Sequence, residues 1–421
     1  MYDFETWPER HDTTSVKWKM IETELGAGHE DVLALSVADM EFVTPPAVVE
    51  ALVDAARNDV FGYDYATDEY LAAVCDWMRR RHGLEADPKL ISLSAGVMPA
   101  VNTALRAFTH PGDAVIIQRP VYYPFTNAAM NNGLEILNNA LLFDGETGRY
   151  SMDFEDLERK ASDPRCKAIM LCNPHNPVGR VWTAEELRML GDICVANDVM
   201  ILCDEIHGDL EHPGHAVTMF GTLGERYADH LIEFTAPSKS FNLAGLLCSN
   251  AIFHNAKVKQ EFDIAAAKTG GSTVNHLGMV ACMAAYARCE DWFEEMLAVV
   301  RRNLDTVRAF ADTHDGIRLI EPEGTYLAWL DCRGLGLSND ELETFMHEQA
   351  RLYFDEGYLF GQEGSGFERI NLACPVRVIE RMCRQLDAAL CKLGVGPVAA
   401  DFCGLCMSGG VPLGVWRVNA A

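Results

Sequence analysis

Between residues 89 and 235, short apolar runs alternate with stretches of helical period, and nothing else in the chain restricts its fold as strongly. A strand covered on both faces reads as an unbroken apolar run. Parallel neighbours then need a crossover of a dozen or more residues, usually a helix. Lys89–Leu93, Ala114–Ile117, Lys167–Cys172, Val199–Cys203 and Leu231–Thr235 are runs of this kind. Ser94-Ala95-Gly96 opens a helix predicted through Phe108, and Pro111-Gly112-Asp113 is a turn. Thr183-Ala-Glu-Glu186 is a capping box that starts a helix running to about Asn197. The sequence therefore predicts an α/β domain with a mostly parallel sheet.

Upstream, Leu71, Val74, Cys75 and Met78 fall at helical spacing. Downstream, one long helix is predicted from Asp291 to Arg308. A section from Ile317 to about Leu393 follows, with strand-like segments at Tyr326–Leu330 and Arg369–Leu372 and a final helix. The expected division is an N-terminal segment (1–48) packing with a smaller domain, a large domain (49–288), the smaller α+β domain (289–394) and a Gly-rich extension (395–421).

The net charge of −27 repels phosphate backbones and argues against a nucleic-acid partner. No run approaches the roughly 18 apolar residues of a membrane span. The opening MYDFETWPER lacks the basic start and apolar core of a signal peptide. The 14 cysteines are scattered, and Cys172, Cys203 and Cys248 lie in apolar runs, which fits a reduced, cytoplasmic protein.

In open α/β sheets, ligands bind outside the carboxyl ends of the strands. There the sequence places Gly96, then Asn173 and Asn176, then Asp204 and His207, then Ser238 and Lys239. A lysine in a loop is ordinarily a solvated charge, but Lys239 is flanked by serines and leads into an apolar run. Enclosure depresses the amine pKa, and a neutral amine attacks carbonyls. Asp204, directly after a buried-type strand, needs a partner; a pyridinium nitrogen is one, and a helix cap or an ion pair is the plainer alternative. Glu205 beside it reads as a structural contact. Gly96 and Val97 form a strand–helix junction whose free amides suit a phosphate, with Ser94 and Ser238 as further donors. Tyr122 offers a ring for stacking or, more plainly, for the core. Arg369, inside an apolar strand, needs an anion: a substrate carboxylate or an internal salt bridge.

Four motifs stand in order along the chain: Asn-Pro-His-Asn-Pro-Val-Gly (173–179), Asp-Glu-Ile-His (204–207), Ser-Lys-Ser-Phe-Asn (238–242) and Arg-Ile-Asn-Leu (369–372). Together they resemble the aspartate-aminotransferase-like superfamily of fold type I pyridoxal-5′-phosphate (PLP) enzymes over about residues 2–394. Val-Ala-Asp-Met-Glu-Phe (37–42), Val-Phe-Gly-Tyr (60–63) and Gly-Thr-Tyr-Leu-Ala-Trp-Leu-Asp (324–331) look like the bacterial cystathionine β-lyase or C–S lyase type, which includes the maltose-regulon modulator.

The resemblance implies a large domain with a mostly parallel sheet, a smaller α+β domain, and PLP held as an imine on Lys239. It implies Asp204 at the ring nitrogen, Asn176 at the ring oxygen with His207 alongside, and Tyr122 stacked on the ring. Gly96, Val97 and Ser238 would take the phosphate, Arg369 the substrate carboxylate, and Tyr63 the phosphate of a neighbouring subunit in a homodimer. Many relatives carry an Arg eight residues after the lysine; here that residue is Leu247. The implied reaction is β-elimination from cystathionine or a related cysteine S-conjugate. An aminotransferase on the same site and a regulatory binding protein on the same fold are the alternatives. Cys403 and Cys406 form an isolated CxxC with no second pair at ligand spacing, and read as incidental.

Overall fold

The computed structural model describes residues 2–396 except 12, 30 and 271–274. The extension with Cys403 and Cys406 therefore lies outside the described residues.

The alternating region forms a seven-stranded sheet: β1 (Ile91–Ser94), β2 (Ala114–Ile117), β3 (Glu135–Asn138), β4 (Cys166–Cys172), β5 (Met200–Asp204), β6 (Leu231–Thr235) and β7 (Ser249–Phe253), in the order β1-β7-β6-β5-β4-β2-β3. Strands β3, β2, β4, β5 and β6 pair in parallel, and β7 runs antiparallel to both β6 and β1. The strands predicted from sequence fall within a residue or two of these bounds. Strands β3 and β7 were not anticipated.

Successive side chains of a strand point to opposite faces, and both faces here are covered. Val115, Met170, Leu202 and Phe234 pack beneath the helix Val97–Phe108, while Ile116, Ile169, Ile201 and Cys203 pack against the helix Ala184–Ala196. The latter helix begins with the anticipated capping box, Thr183 and Glu186 bonding reciprocally. All the parallel strands end at one edge, and β1 ends there too, because two antiparallel pairings restore its direction.

The long helix Glu290–Ala311 leads to a second, four-stranded antiparallel sheet: β8 (Arg318–Ile320), β9 (Leu327–Asp331), β10 (Asp355–Glu356) and β11 (Phe367–Asn371), in the order β8-β9-β11-β10. The closing helix Val376–Leu393 packs on Glu290–Ala311. N-terminal residues Phe4, Leu33, Leu35, Met40 and Phe42 join the same core. The segment 33–35 is tied to residues 352–353 by a short parallel pairing and to β11 by the Asn371 N–H donating to Leu35 O at 2.8 Å. Twelve cysteines are described and all are free. Among the described residues, no helix is long and apolar enough to cross a membrane.

Candidate active site

A cavity of about 330 Å³ opens where the carboxyl ends of the large sheet meet the N-terminal segment and β11. Its wall includes Gly96, Val97, Tyr122, Asn176, Asp204, His207, Ser238, Lys239 and Arg369. Of the residues singled out for the site from sequence, three lie off this wall: Ser94, Asn173, whose amide turns to Glu205 and the Thr218 carbonyl, and Tyr63, which stands fully exposed.

Asp204 is the last residue of β5. Burial pushes its carboxyl up to about 7, against the Ile206 N–H, which donates to Oδ1 at 3.1 Å, and the nearby positive charge of Lys239. Among the described residues it makes no ion pair. A buried carboxylate of this kind favours a positive ligand group as its partner.

Lys239 sits in a single turn of helix, Pro237–Ser240, just after β6. Its Nζ donates to the Ala38 carbonyl at 2.6 Å. Burial and then Arg369 bring its pKa down to about 8, with Asp39 and Asp204 pulling the other way. At pH 7 that leaves about 300-fold more neutral amine than a lysine at its ordinary value.

Asn176 accepts from Arg369 Nη1 through its Oδ1 at 2.9 Å, so its amide N–H₂ is left to donate into the cavity. Arg369 also donates through Nη2 to Asp355 Oδ2 at 2.5 Å and lies 4.7 Å over the ring of Phe360. Its Nε is buried without a partner. The internal salt bridge weighed from sequence is therefore real, and it still leaves an unsatisfied donor on the same guanidinium. His207 is held well below its usual pKa by burial, with Lys239 and Arg369 adding to the effect, so it is neutral. Its Nδ1 has no partner.

The helix Val97–Phe108 points its N-terminus at the cavity. Gly96 caps it at φ 149°, a conformation that other residues rarely adopt. First-turn amides of a helix have no acceptor within it and bind anions. Leu247 lines the same region in a left-handed conformation at φ 50°. The charged side chains on the wall are Asp204, Lys239 and Arg369, so among the described residues the helix end brings no lysine or arginine of its own. Glu205 points elsewhere, accepting from the backbone N–H of Phe220 at 2.9 Å and from Asn173 Nδ2 at 3.3 Å. It is a structural contact, as read.

Sequence reasoning assigned nothing to Val37, Ala38, Tyr123 and Cys248, which also line the wall, or to Asp355 behind Arg369. The only signal for the first two is their place in the 37–42 motif, which carries no role by itself. As a whole, an amine readily freed of its proton, an unpaired buried carboxyl, an aromatic wall and a helix N-terminus suit a flat, cationic heteroaromatic ligand with a carbonyl and an anionic tail.

The chain matches the family model for aminotransferase class I and II over residues 30–386, and it belongs to that family. It is 38% identical over 389 residues to cystathionine beta-lyase PatB of Bacillus subtilis (92% of this chain, 100% of the relative). It is 30% identical to protein MalY of Escherichia coli (90% and 97%). The crystal structure of cystalysin from Treponema denticola, which contains a pyridoxal 5′-phosphate cofactor, superposes with a TM-score of 0.91 at 42% identity (93% and 100%). A PLP-bound C–S lyase from Staphylococcus hominis superposes at 0.84 and 28% identity (93% and 98%).

Proposed function

We propose that this protein is a PLP-dependent carbon–sulfur lyase acting on cystathionine or a related cysteine S-conjugate, releasing a thiol, pyruvate and ammonia. The observation that carries the reading is the enclosed Lys239 amine sharing one cavity with the unpaired carboxylate of Asp204. The names of the relatives, lyases of this kind among them, support the choice of reaction.

The cavity fits the cofactor on its own chemistry. Asp204 lacks the cation that a protonated pyridine nitrogen provides, and the Asn176 amide is turned so that it donates. Lys239 would hold the aldehyde carbon, Asp204 the ring nitrogen, Asn176 and His207 the ring oxygen, and Tyr122 the ring face. Gly96, Val97 and Ser238 would hold the phosphate, completed by Tyr63 of a second copy in a homodimer. That Tyr63 stands exposed and unused by its own cavity supports this last assignment. Leu247 brings no charge, so phosphate binding would rest on amides and hydroxyls. When bound, the cofactor supplies an electron sink for the charge that develops at Cα.

The protein's own groups do the rest. Arg369 binds the substrate carboxylate from the cavity wall, its guanidinium held in place by Asn176 and Asp355. Lys239, released and neutral, takes the Cα proton, a contribution of about 10²–10⁴-fold for a positioned base. The Cβ–S bond breaks with its electron pair on sulfur, the thiolate leaves, and the remaining enamine hydrolyses to pyruvate and ammonia. In this proposal the described chain divides at 48/49 and 288/289 into an N-terminal segment, a large domain and a smaller domain.

Purified protein with PLP and cystathionine should release pyruvate and a thiol in equal amounts. Steady amino-group exchange with a keto acid and no pyruvate would instead make it an aminotransferase. A biological effect that survives Lys239→Ala would point to a regulatory binding role.

A further inference from the structure

Two motifs of the sequence have no role in the chemistry proposed above: residues 37–42 and 324–331. The asparagines of two others, Asn242 and Asn371, have none either. All four meet around one loop, residues 37–42, and its Ala38 carbonyl is where the loop touches the amine. The Ala38 oxygen accepts from Nζ of the half-buried Lys239 at 2.6 Å and from the hydroxyl of the buried Tyr326 at 2.8 Å.

The loop carrying that carbonyl is fastened on every side. Asn242 accepts from Met40 N at 3.0 Å and donates to Met40 O and Phe42 O, each at 3.1 Å. Asn371 donates to Val37 O at 2.8 Å and Asp39 O at 2.6 Å, and Val37 N donates to Asp355 at 3.0 Å. Beneath lies an ionic cluster, buried at Lys17 and Glu41 and half-buried at Arg10 and Asp39. Lys17, only 1% exposed, donates to Glu41 Oε1 and Asp39 O, both at 3.0 Å, and pairs with Asp39 Oδ1 at 2.8 Å. Arg10 pairs with the same two carboxylates at 2.7 Å each. Val37 holds φ 43°, a left-handed conformation unfavourable for a β-branched residue. Such backbone persists where the surroundings over-determine it. Chain segments about 200 and more residues apart in sequence thus converge to fix one acceptor.

We propose that the Ala38 carbonyl, held by Tyr326 and by Lys17 through Asp39 and Glu41, is the resting acceptor for the Lys239 amine whenever that amine is free, so that Tyr326 and Lys17 are positioning residues for its proton transfers. The inference rests on the assignment of Lys239 made above. When the Cα proton passes to Nζ, the ammonium formed donates to this oxygen, and the amine stays aimed into the cavity for the return step. The charged groups facing the amine are Arg369 from β11, Asp204 at the end of β5, and Asp39 and Lys17 from the N-terminal segment, beside the neutral His207. The carbonyl is the neutral acceptor among them.

Tyr326→Phe keeps the ring and removes the hydroxyl. The full-length chain freed of cofactor should then take up PLP with a pH midpoint lowered by about half a unit or more, because the Ala38 oxygen is no longer held in place for the ammonium. With cofactor bound, exchange of the Cα proton of L-alanine into D₂O, read by NMR, should fall about tenfold or more, with KM within about twofold. Lys17→Met should show the same loss of exchange and Lys17→Arg should restore part of it. If Lys17→Met does not fold, Tyr326→Phe decides alone. A folded Tyr326→Phe protein with an unchanged uptake midpoint and unchanged exchange overturns the proposal while leaving Lys239 in its assigned role. A wild-type protein whose Lys239 carries no cofactor after borohydride reduction and peptide mapping overturns that assignment and this inference together.

Discussion

Replacing Asp204 with Asn should stabilise the cofactor-free protein, and increasingly so as pH rises. The carboxyl is fully buried, and its pKa stands at about 7 against an ordinary 3.8. Raising a carboxyl pKa by one corresponds to about 1.4 kcal/mol against the charged form. The folded state therefore binds a proton that the unfolded chain has lost between pH about 4 and 7, and in that window stability falls as pH rises. At pH 8.5 burying the charged group costs roughly 4 kcal/mol; at pH 5, where the folded carboxyl is protonated, taking up that proton costs about 1.5. Asn keeps an oxygen for the Ile206 N–H, and the charge assistance of that bond is already contained in the carboxyl pKa of about 7. The expected gain is therefore roughly 4 kcal/mol at pH 8.5 and about 1.5 at pH 5. At pH 8.5 Lys239 is largely neutral, so losing its charged neighbour matters little there. Urea unfolding of both proteins without cofactor, in buffers free of phosphate and sulfate, measures the difference. A gain that stays flat between the two pH values, or an Asn variant less stable than wild type at pH 8.5, would refute the burial argument. With PLP added the sign should reverse, because the carboxylate is then needed.

Lys239→Ala should lose at least about 10²-fold in pyruvate release and leave no cofactor attached after borohydride reduction, read by mass spectrometry. Arg369→Lys keeps the charge but loses the fork that reaches Asn176 and Asp355. Its kcat/KM for cystathionine should fall about 10²-fold, mostly through KM, in steady-state kinetics; an unchanged KM would remove Arg369 from substrate binding. Mixing inactive Lys239→Ala chains with Tyr63→Ala chains should restore about a quarter of wild-type pyruvate release if Tyr63 serves a second copy, since each hybrid dimer then holds one intact site. No recovery in hybrids confirmed by native mass spectrometry would count against that placement.

The amino-acid sequence by itself determined the elements whose signals are local. Interior strands of a parallel sheet are apolar along their whole length, so β2, β4, β5 and β6 stood out between turns and caps. The residue after each strand end was therefore legible, and with it Gly96, Asn176, Asp204 and Lys239. Strand β3, at the sheet edge and only partly buried, and β7, which returns antiparallel within a longer stretch of mixed character, carry no such mark. Tertiary structure alone decided what these side chains face. Asp355 reaches Arg369 from a two-residue strand, and the carbonyl of Ala38 reaches Lys239 across 201 positions of chain. A backbone oxygen has no residue type to read, and a contact between distant segments has no period. Lysine, aspartate and arginine announce that a site exists; the folding of the N-terminal segment over it decides where the amine rests.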